Sequence, residues 1–412
     1  MAATQADLAR LDAILKDRPL VDELQIAFNS ATPLAEKITQ QLTLSGRKGI
    51  FPVSFGVNEG VYARADKATF GDSQVDQPFL ASISAKFVYA IFEISGPTMS
   101  ATRDNPGAFE DALALQLENT LTGVKLDMAR MILNKNGTNG LIATVDARTD
   151  ADTFTVKNPF GLTYKSSRPV RNLLRRNMPI DVKTTGGVAH VTNSQITSVT
   201  HSATVTTLDV DPAEVATVAA ADEVFRAGNK NNEISGFFEA VQETGTYLSI
   251  ARAGNDGWQG VVTDAAAGGA AAVPLDPDML RDQMDEIMEV SGRTPTLIVA
   301  NYKQRRNIYN LFAPQIRYAP MVLPAGLREE TLRFDDLPVL AERFFPPEHI
   351  GFVDTGTWYH AIDKDVEWIQ GLNGTVLHFT LTADVFKAVL RTYRNLACFY
   401  PAANGYLFGL EE

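Results

Sequence analysis

Residues 105–137, "NPGAFEDALALQLENTLTGVKLDMARMILNKNG", read as one long helix with almost no polar face. Asn105 can cap it and Pro106 suits its first turn. Glu110 and Asp111 lie near its start, where the helix dipole favours acids. Lys125 and Arg130 lie toward its end, ahead of the stop signal Asn-Lys-Asn-Gly. Phe109, Leu113, Leu117, Leu121, Val124 and Met128 make one stripe, and Ala112, Leu115, Leu126, Met131, Ile132 and Leu133 widen it. At 1.5 Å per residue, roughly 28 residues span about 42 Å. A helix of that girth must be covered on most sides. A large α/β domain around it would supply the cover, and so would neighbouring copies of the same chain.

The flanking sequence bears on that choice. Before the helix, "GIFPVSFGV" and "FLASISAKFVYAIFEIS" are rich in β-branched and aromatic residues and read as strands. The polar, glycine-containing "NEGVYARADKATFGDSQVDQP" separates them, so residues 46–94 read as a hairpin with a loose tip. Arms of about 15–20 residues would reach roughly 50–65 Å. Two strands of that length are not stable alone in water. They need either the edge of a larger sheet or another surface. Further upstream, residues 4–18 carry Leu8, Leu11, Ile14 and Leu15 at helical spacing, ended by Pro19. "TPLAEKITQQLT" predicts a second short helix, with Thr32 as cap and Pro33 in its first turn.

After the long helix the pattern changes twice. "TFTVKN", "MPIDVKTT", "VAHVTNSQITSVT", "ATVTTLDV" and "DEVFRAGN" are short strands at close spacing, the signal of a small barrel or sandwich over 150–235. "DAAAGGAAA" is a linker. From 274 the order becomes α/β. "DPDMLRDQMDEIMEVSG" is a helix capped near Asp276 and stopped at Gly292, "PTLIVAN" a buried strand, and "YKQRRNIYNLF" a second helix. "LPVLAERFFP", "HIGFVDTGTWYHAID", "VEWIQ" and "DVFKAVLRTYRNLACFYPAANGYLFGL" return to strands.

Composition narrows the function classes. A chain of 412 residues, 45% hydrophobic and 21% charged, has room for two or three folded domains. Net charge is −12, which argues against a protein that coats nucleic acid but not against a container whose wall faces it. The start, "MAATQADLARLDAILKDRPL", has acids where a secretion leader would have a basic start and an apolar run. No apolar run is long enough to predict a membrane span.

No catalytic signature stands out. There is no phosphate-binding glycine loop, dinucleotide fingerprint, HExxH or GxSxG. His190, His201, His349, His360 and His378 are scattered, without metal-ligand spacing. Cys398, the one cysteine, lies in an apolar run and reads as a buried inert thiol. Arg168, Arg171, Arg175 and Arg176 form a basic run without interleaved aromatics, so pairing with acids is favoured over a polyanion site. Arg305 and Arg306 read as solvent- or neighbour-facing residues of an amphipathic helix. The expected site residues are therefore none: no catalytic, cofactor-binding or metal-ligating set, and no cofactor. A hydrolase using Asp354, Asp363 and Asp365 would be the enzyme reading, but nothing in the sequence brings those acids together.

In their order along the chain these pieces resemble the tailed-phage (Caudoviricetes) major capsid proteins with the fold named after coliphage Hong Kong 97. The resemblance covers most of the chain. "AFEDALALQLENTLTGVKLDMARMIL" is similar to the family's spine helix, and "GTYLSIARAGNDGWQG" to the segment leading into its axial domain. "SGRTPTLIVANYKQRRNIY" is similar to the axial helix–strand–helix, where a strand ending in Asn precedes a helix. "LPVLAERFFPPEHIGFVDTGTWY" and "DVFKAVLRTYRNLACFYPAANGYLFGL" resemble its peripheral and C-terminal strands.

The resemblance implies an α+β chain with the Hong Kong 97-type capsid fold and an inserted small β-barrel-like module. It assigns 1–45 to the N-terminal arm, 46–90 to the extended hairpin or E-loop, and 91–149 to the peripheral domain with the spine helix. The inserted module is 150–235, the axial domain 236–335, the return strands of the peripheral domain 336–400, and the C-terminal segment 401–412. The implied function is the major capsid (head) protein of a tailed double-stranded DNA bacteriophage, not an enzyme. Copies would assemble as hexamers and pentamers into an icosahedral shell in the host bacterial cytoplasm, enclosing DNA without reading its sequence and without a membrane. Portal, scaffolding and decoration (cement) proteins are the further partners implied. No long scaffolding segment precedes the arm, so scaffolding would be a separate protein or absent. Some relatives cross-link an E-loop lysine to a peripheral asparagine. Lys67 could be that lysine, but Ala388 stands where the asparagine is expected, so no cross-link is expected. An encapsulin-type nanocompartment shell shares the fold and is the alternative. It is disfavoured because encapsulin-like relatives are usually shorter.

Overall fold

The computed structural model describes residues 33–44, 46, 48–54, 61, 63–66, 78–97, 106–135, 140–212, 217–316, 332–370, 376–380 and 382–412. The helix expected over 4–18, Asn105 and Lys67 lie outside the described residues, as do the side chains of 106–118 and hence those of Phe109, Leu113 and Leu117. The chain divides into two compact units: residues 1–32, 86–129 and 362–394, and residues 33–85, 130–361 and 395–412.

In the first unit the long helix runs Pro106–Met131, crossing the unit boundary after Ala129. Its 26 residues span about 39 Å. Strand Lys86–Ser95 pairs antiparallel with Val385–Arg394, Ile91 opposite Val389 and Phe87 opposite Tyr393. His378–Thr380 pairs on the other side of that partner, with Phe379 opposite Phe386. Phe92, Ile94 and Ala388 are buried on one face, against Trp368, Val376 and Leu377. On the helix, Val124 and Leu126 are buried, but Leu121 is exposed.

Three structures make up most of what is described of the second unit. The first is a paired stem, Lys48–Val53 antiparallel with Phe79–Ser84. The apolar run 79–95 predicts one long hairpin arm, yet it breaks at Ala85, and Lys86–Ser95 takes a different partner. Among the described residues the paired stem is six residues per strand, about 20 Å. A run of β-formers shows that strands exist, not what they pair with. Similarly, the helix expected in "TPLAEKITQQLT" stops at Lys37, and Gln41–Thr43 is a strand paired with the start of Trp358–Trp368.

The second structure is a closed six-stranded barrel. Round the barrel the strands are Glu223–Arg226, Leu141–Arg148, Thr153–Lys157, Thr206–Asp211, Ala189–His201 and Pro179–Lys183, which pairs back to the first. Phe154, Val156, Ile180, Val182, Val191, Ile196, Leu208 and Val224 fill it. The five strands predicted here all form. Leu141–Arg148 is the sixth, although the pattern places it with the long helix, ahead of a module starting at 150. Closure needs it: without Leu141–Arg148, strands Glu223–Arg226 and Thr153–Lys157 would each present an open edge.

The third structure is a six-stranded mixed sheet, in the order Val261–Asp264, Gly405–Phe408, His349–Val353, Leu297–Ala300, Leu337–Ala341 and Arg333–Phe334. Leu337–Ala341, His349–Val353 and Gly405–Phe408 share this sheet with Leu297–Ala300. All are continuous apolar runs, which suit any buried strand equally. One face carries helices Pro277–Ser291 and Tyr302–Ile316, whose Leu280, Met284, Ile287 and Ile308 share a core with Ile298, Ile350 and Phe352. Asp276 caps the first helix by accepting from Asp278 N at 3.0 Å, and Gly292 ends it in the left-handed region (φ 66°). The other face is aromatic: Phe238 meets Tyr406 and Phe345, and His349 stacks on Phe408.

Two polar junctions tie this unit together. At the end of the long helix, buried Arg130 forms a bidentate pair with Glu233, which also accepts from Asn134 Nδ2 (2.8 Å) and Asn229 Nδ2 (2.7 Å). Gly236 lies flush on this turn, and a Cβ there would sit 2.2 Å from Asn134 N. Between barrel and sheet, buried Glu348 accepts from Arg168 Nε (2.6 Å) and Lys165 N (2.9 Å), while Lys165 Nζ pairs with Asp264 at 2.6 Å.

Candidate assembly surfaces

The stem Lys48–Val53/Phe79–Ser84 has two unlike faces. Opposed residues of an antiparallel pair share a face, so Phe51 and Ala81 point one way and Ile50 and Ser82 the other. Ile83 and Phe51 pack with Leu44, Ala361, Ala397 and Leu248, and Ser82 N donates to Leu248 O at 2.9 Å. The opposite face leaves Ile50 59% and Leu80 62% exposed, next to exposed Pro52. Among the described residues this apolar ridge has no cover in its own unit.

In the first unit the strand Lys86–Ser95 alternates in the same way. Phe92 and Ile94 are buried, whereas Phe87, Tyr89 and Ile91 are exposed. Tyr393 from the paired strand joins them, edge-on to Phe87 at 4.9 Å and to Tyr89 at 6.1 Å. Ion pairs lie beside this aromatic strip: Arg391 with Glu367 (2.7 Å) and Lys387 with Glu93. The hydrogen bond from Arg391 holds the Glu367 carboxyl below its ordinary range. Apolar surface rimmed by charge is what a protein–protein contact needs.

The described cysteine, histidine and acidic side chains are tied up in the fold as follows. Cys398 is fully buried, and desolvation pushes its thiol up to about 12, so it is not a nucleophile at neutral pH. Burial lowers His349 to about 4, and its Nδ1 lies 2.8 Å from Pro347 O. His190 lies 2.7 Å from Asp222 and His201 2.9 Å from Thr206, both on the barrel. His360 and His378 lie within 3.3 Å and 3.0 Å of the backbone oxygens of Ala35 and Ile369. Of the arginine run, Arg168 is spent on Glu348, while Arg171 and Arg176 are exposed. Asp354 pairs with Arg293 at 2.9 Å, and Asp365 is held by Arg394. Among the described residues no group of three His, Cys, Asp or Glu could hold a metal ion, and no helix is long and apolar enough to cross a membrane.

No protein-family model matches the chain, and no curated protein matches it. Solved structures do. The chain matches the capsid asymmetric unit of cyanophage A-1(L) with a TM-score of 0.57 at 11% identity, covering 100% of both chains. It matches the capsid of a native GTA particle with a TM-score of 0.53 at 12% identity, covering 99% of this chain and 100% of that one. The empty GTA capsid gives 0.53 at 12% identity, with 95% of each chain covered. The chain has the mixed α+β fold of these capsid proteins, the Hong Kong 97-type fold. At such identity the likeness lies in the backbone course and not in shared site residues.

Proposed function

We propose that the chain is the major capsid protein of a tailed double-stranded DNA bacteriophage. The observation that carries this is the end-to-end match to a phage capsid chain, covering 100% of both. The exposed apolar faces support it, because a monomer has no use for Ile50, Leu80, Phe87, Tyr89 and Ile91 in water. In this reading the stem and its tip are the E-loop, Pro106–Met131 is the spine helix, the six-stranded sheet is the axial domain, and the barrel is an inserted accessory module. Hexamers and pentamers form because each stem lays its apolar ridge on a neighbouring copy, and many weak contacts add through multivalency. The shell encloses DNA without reading its sequence, and a net charge of −12 keeps the wall from adhering to it. Portal, scaffolding and decoration proteins are its further partners, and the shell assembles in the bacterial cytoplasm.

Negative-stain electron microscopy of the purified protein tests this. Closed icosahedral shells or rings of five and six are expected, with DNA in particles from infected cells. Dispersed monomers would overturn the reading. Shells filled with one cargo protein and no DNA would replace it with a nanocompartment.

A further inference from the structure

The two helices on the six-stranded sheet carry opposite charge on their outer faces. On Pro277–Ser291, Asp282, Glu286 and Glu289 are exposed along one stripe. Tyr302–Ile316 contains no acid. Its Lys303, ion-paired with Glu412, and its Arg306 are exposed beside Tyr302 (48%) and Tyr309 (39%). The acidic stripe borders the sheet's edge: Gln283 Nε2 donates to Val261 O at 3.4 Å, and Glu286 accepts from Thr263 Oγ1 at 3.0 Å. A cleft of about 660 Å³ opens there, lined by Glu286 and Val290 on one side and by Glu243 and Asp256 on the other, with no Lys or Arg in its lining. The basic helix packs instead on Leu297–Ala300 and Leu337–Ala341. Four strand spacings, roughly 19 Å, separate Leu337–Ala341 from the edge strand Val261–Asp264. One copy cannot close its own basic face onto its own cleft.

We propose that this acidic cleft receives the basic, tyrosine-bearing face of helix Tyr302–Ile316 from a second copy, a head-to-tail contact that builds a ring. Donor and acceptor lie on different flanks of one rigid sheet, so each copy gives on one side and takes on the other. Such heterologous contacts close into rings when the rotation allows. Arg306 supplies the charge the cleft lacks, and Tyr302 and Tyr309 offer flat, rigid contact area to half-exposed Val290. This contact rests on the shell reading and names the residues that would join neighbours within a capsomer.

The test is a cysteine pair, Glu289→Cys with Arg306→Cys, in the full chain, where native Cys398 is buried. Oxidation of assembled protein should give a ladder of covalent multimers on a non-reducing gel, and either cysteine alone should not. In parallel, Arg306→Glu should lower the assembled fraction about tenfold, and adding Glu286→Arg and Glu289→Arg should restore it. Shells from the cysteine pair without a ladder, or an Arg306→Glu chain that assembles normally, would overturn this contact and leave the shell reading standing. An unsubstituted chain that stays monomeric would overturn both.

Discussion

His349 illustrates how far burial alone moves a single side chain. It lies in the aromatic layer against Phe408, Tyr406 and Phe238, 1% exposed, with its pKa lowered from 6.5 to about 4 by desolvation. Between those values the unfolded chain takes up a proton that the folded chain does not. The stability contribution is therefore complete above pH 6.5 and lost as pH falls through about 4, a swing of about 3 kcal/mol. Denaturation at pH 7 and pH 4.5 should show that loss, and His349→Phe should show much less; equal losses would place the titration elsewhere. Cys398 behaves in the opposite sense. Its thiol is raised from 9.0 to about 12, so its contribution is present below pH 9 and lost as pH rises toward 12. Native protein at pH 8 should leave it unlabelled by a thiol reagent, and labelling at the rate of unfolded chain would contradict its burial. Arg130→Met should cost about 3–5 kcal/mol in urea denaturation, because Glu233 would stay buried with a charge that Asn134 and Asn229 cannot neutralise. A loss below about 1 kcal/mol would mean that water reaches the pair.

The elements follow local rules where the rules are local. Asp276 and Gly292 bound their helix at the positions their chemistry suggests, and Pro106 opens the long one. The stem is where element-scale reasoning becomes functional. Ile50→Asp with Leu80→Asp changes only solvent-facing positions, so subunit stability should move by no more than about 1 kcal/mol, while assembly is abolished. Sedimentation of the variant would check both at once. Normal shells would remove the stem's outer ridge from the interface, and an unfolded subunit would show that the ridge packs within its own chain.

For the whole molecule, the barrel is the part most separable from the rest. Its first and last strands pair with each other, Ala143 opposite Val224, so the chain enters and leaves at one place. Its closure leaves no open edge. Residues 140–228 expressed alone should fold cooperatively, with dispersed amide resonances. A disordered fragment would show that the clasp from Lys165 and Arg168 to Asp264 and Glu348 is required for the barrel to form.

The amino-acid sequence by itself determined the kinds of element and their order: the long helix, five strands of the barrel, and the capped helix, strand and helix of the α/β part. These follow from periodicity, capping and turn chemistry, which act over a few residues. Which strands pair was decided only by the tertiary structure, because pairing is non-local. Lys86–Ser95 looks like the second arm of a hairpin until Val385–Arg394 claims it. Leu141–Arg148 looks like part of the helical region until the barrel needs a strand to close. Gly405–Phe408 looks like a tail until it becomes an inner strand of the six-stranded sheet. The same limit hid the surfaces. An apolar residue at every second position marks a strand with one buried face. Only the folded neighbours show that Phe92 and Ile94 turn inward while Phe87, Tyr89 and Ile91 remain in solvent.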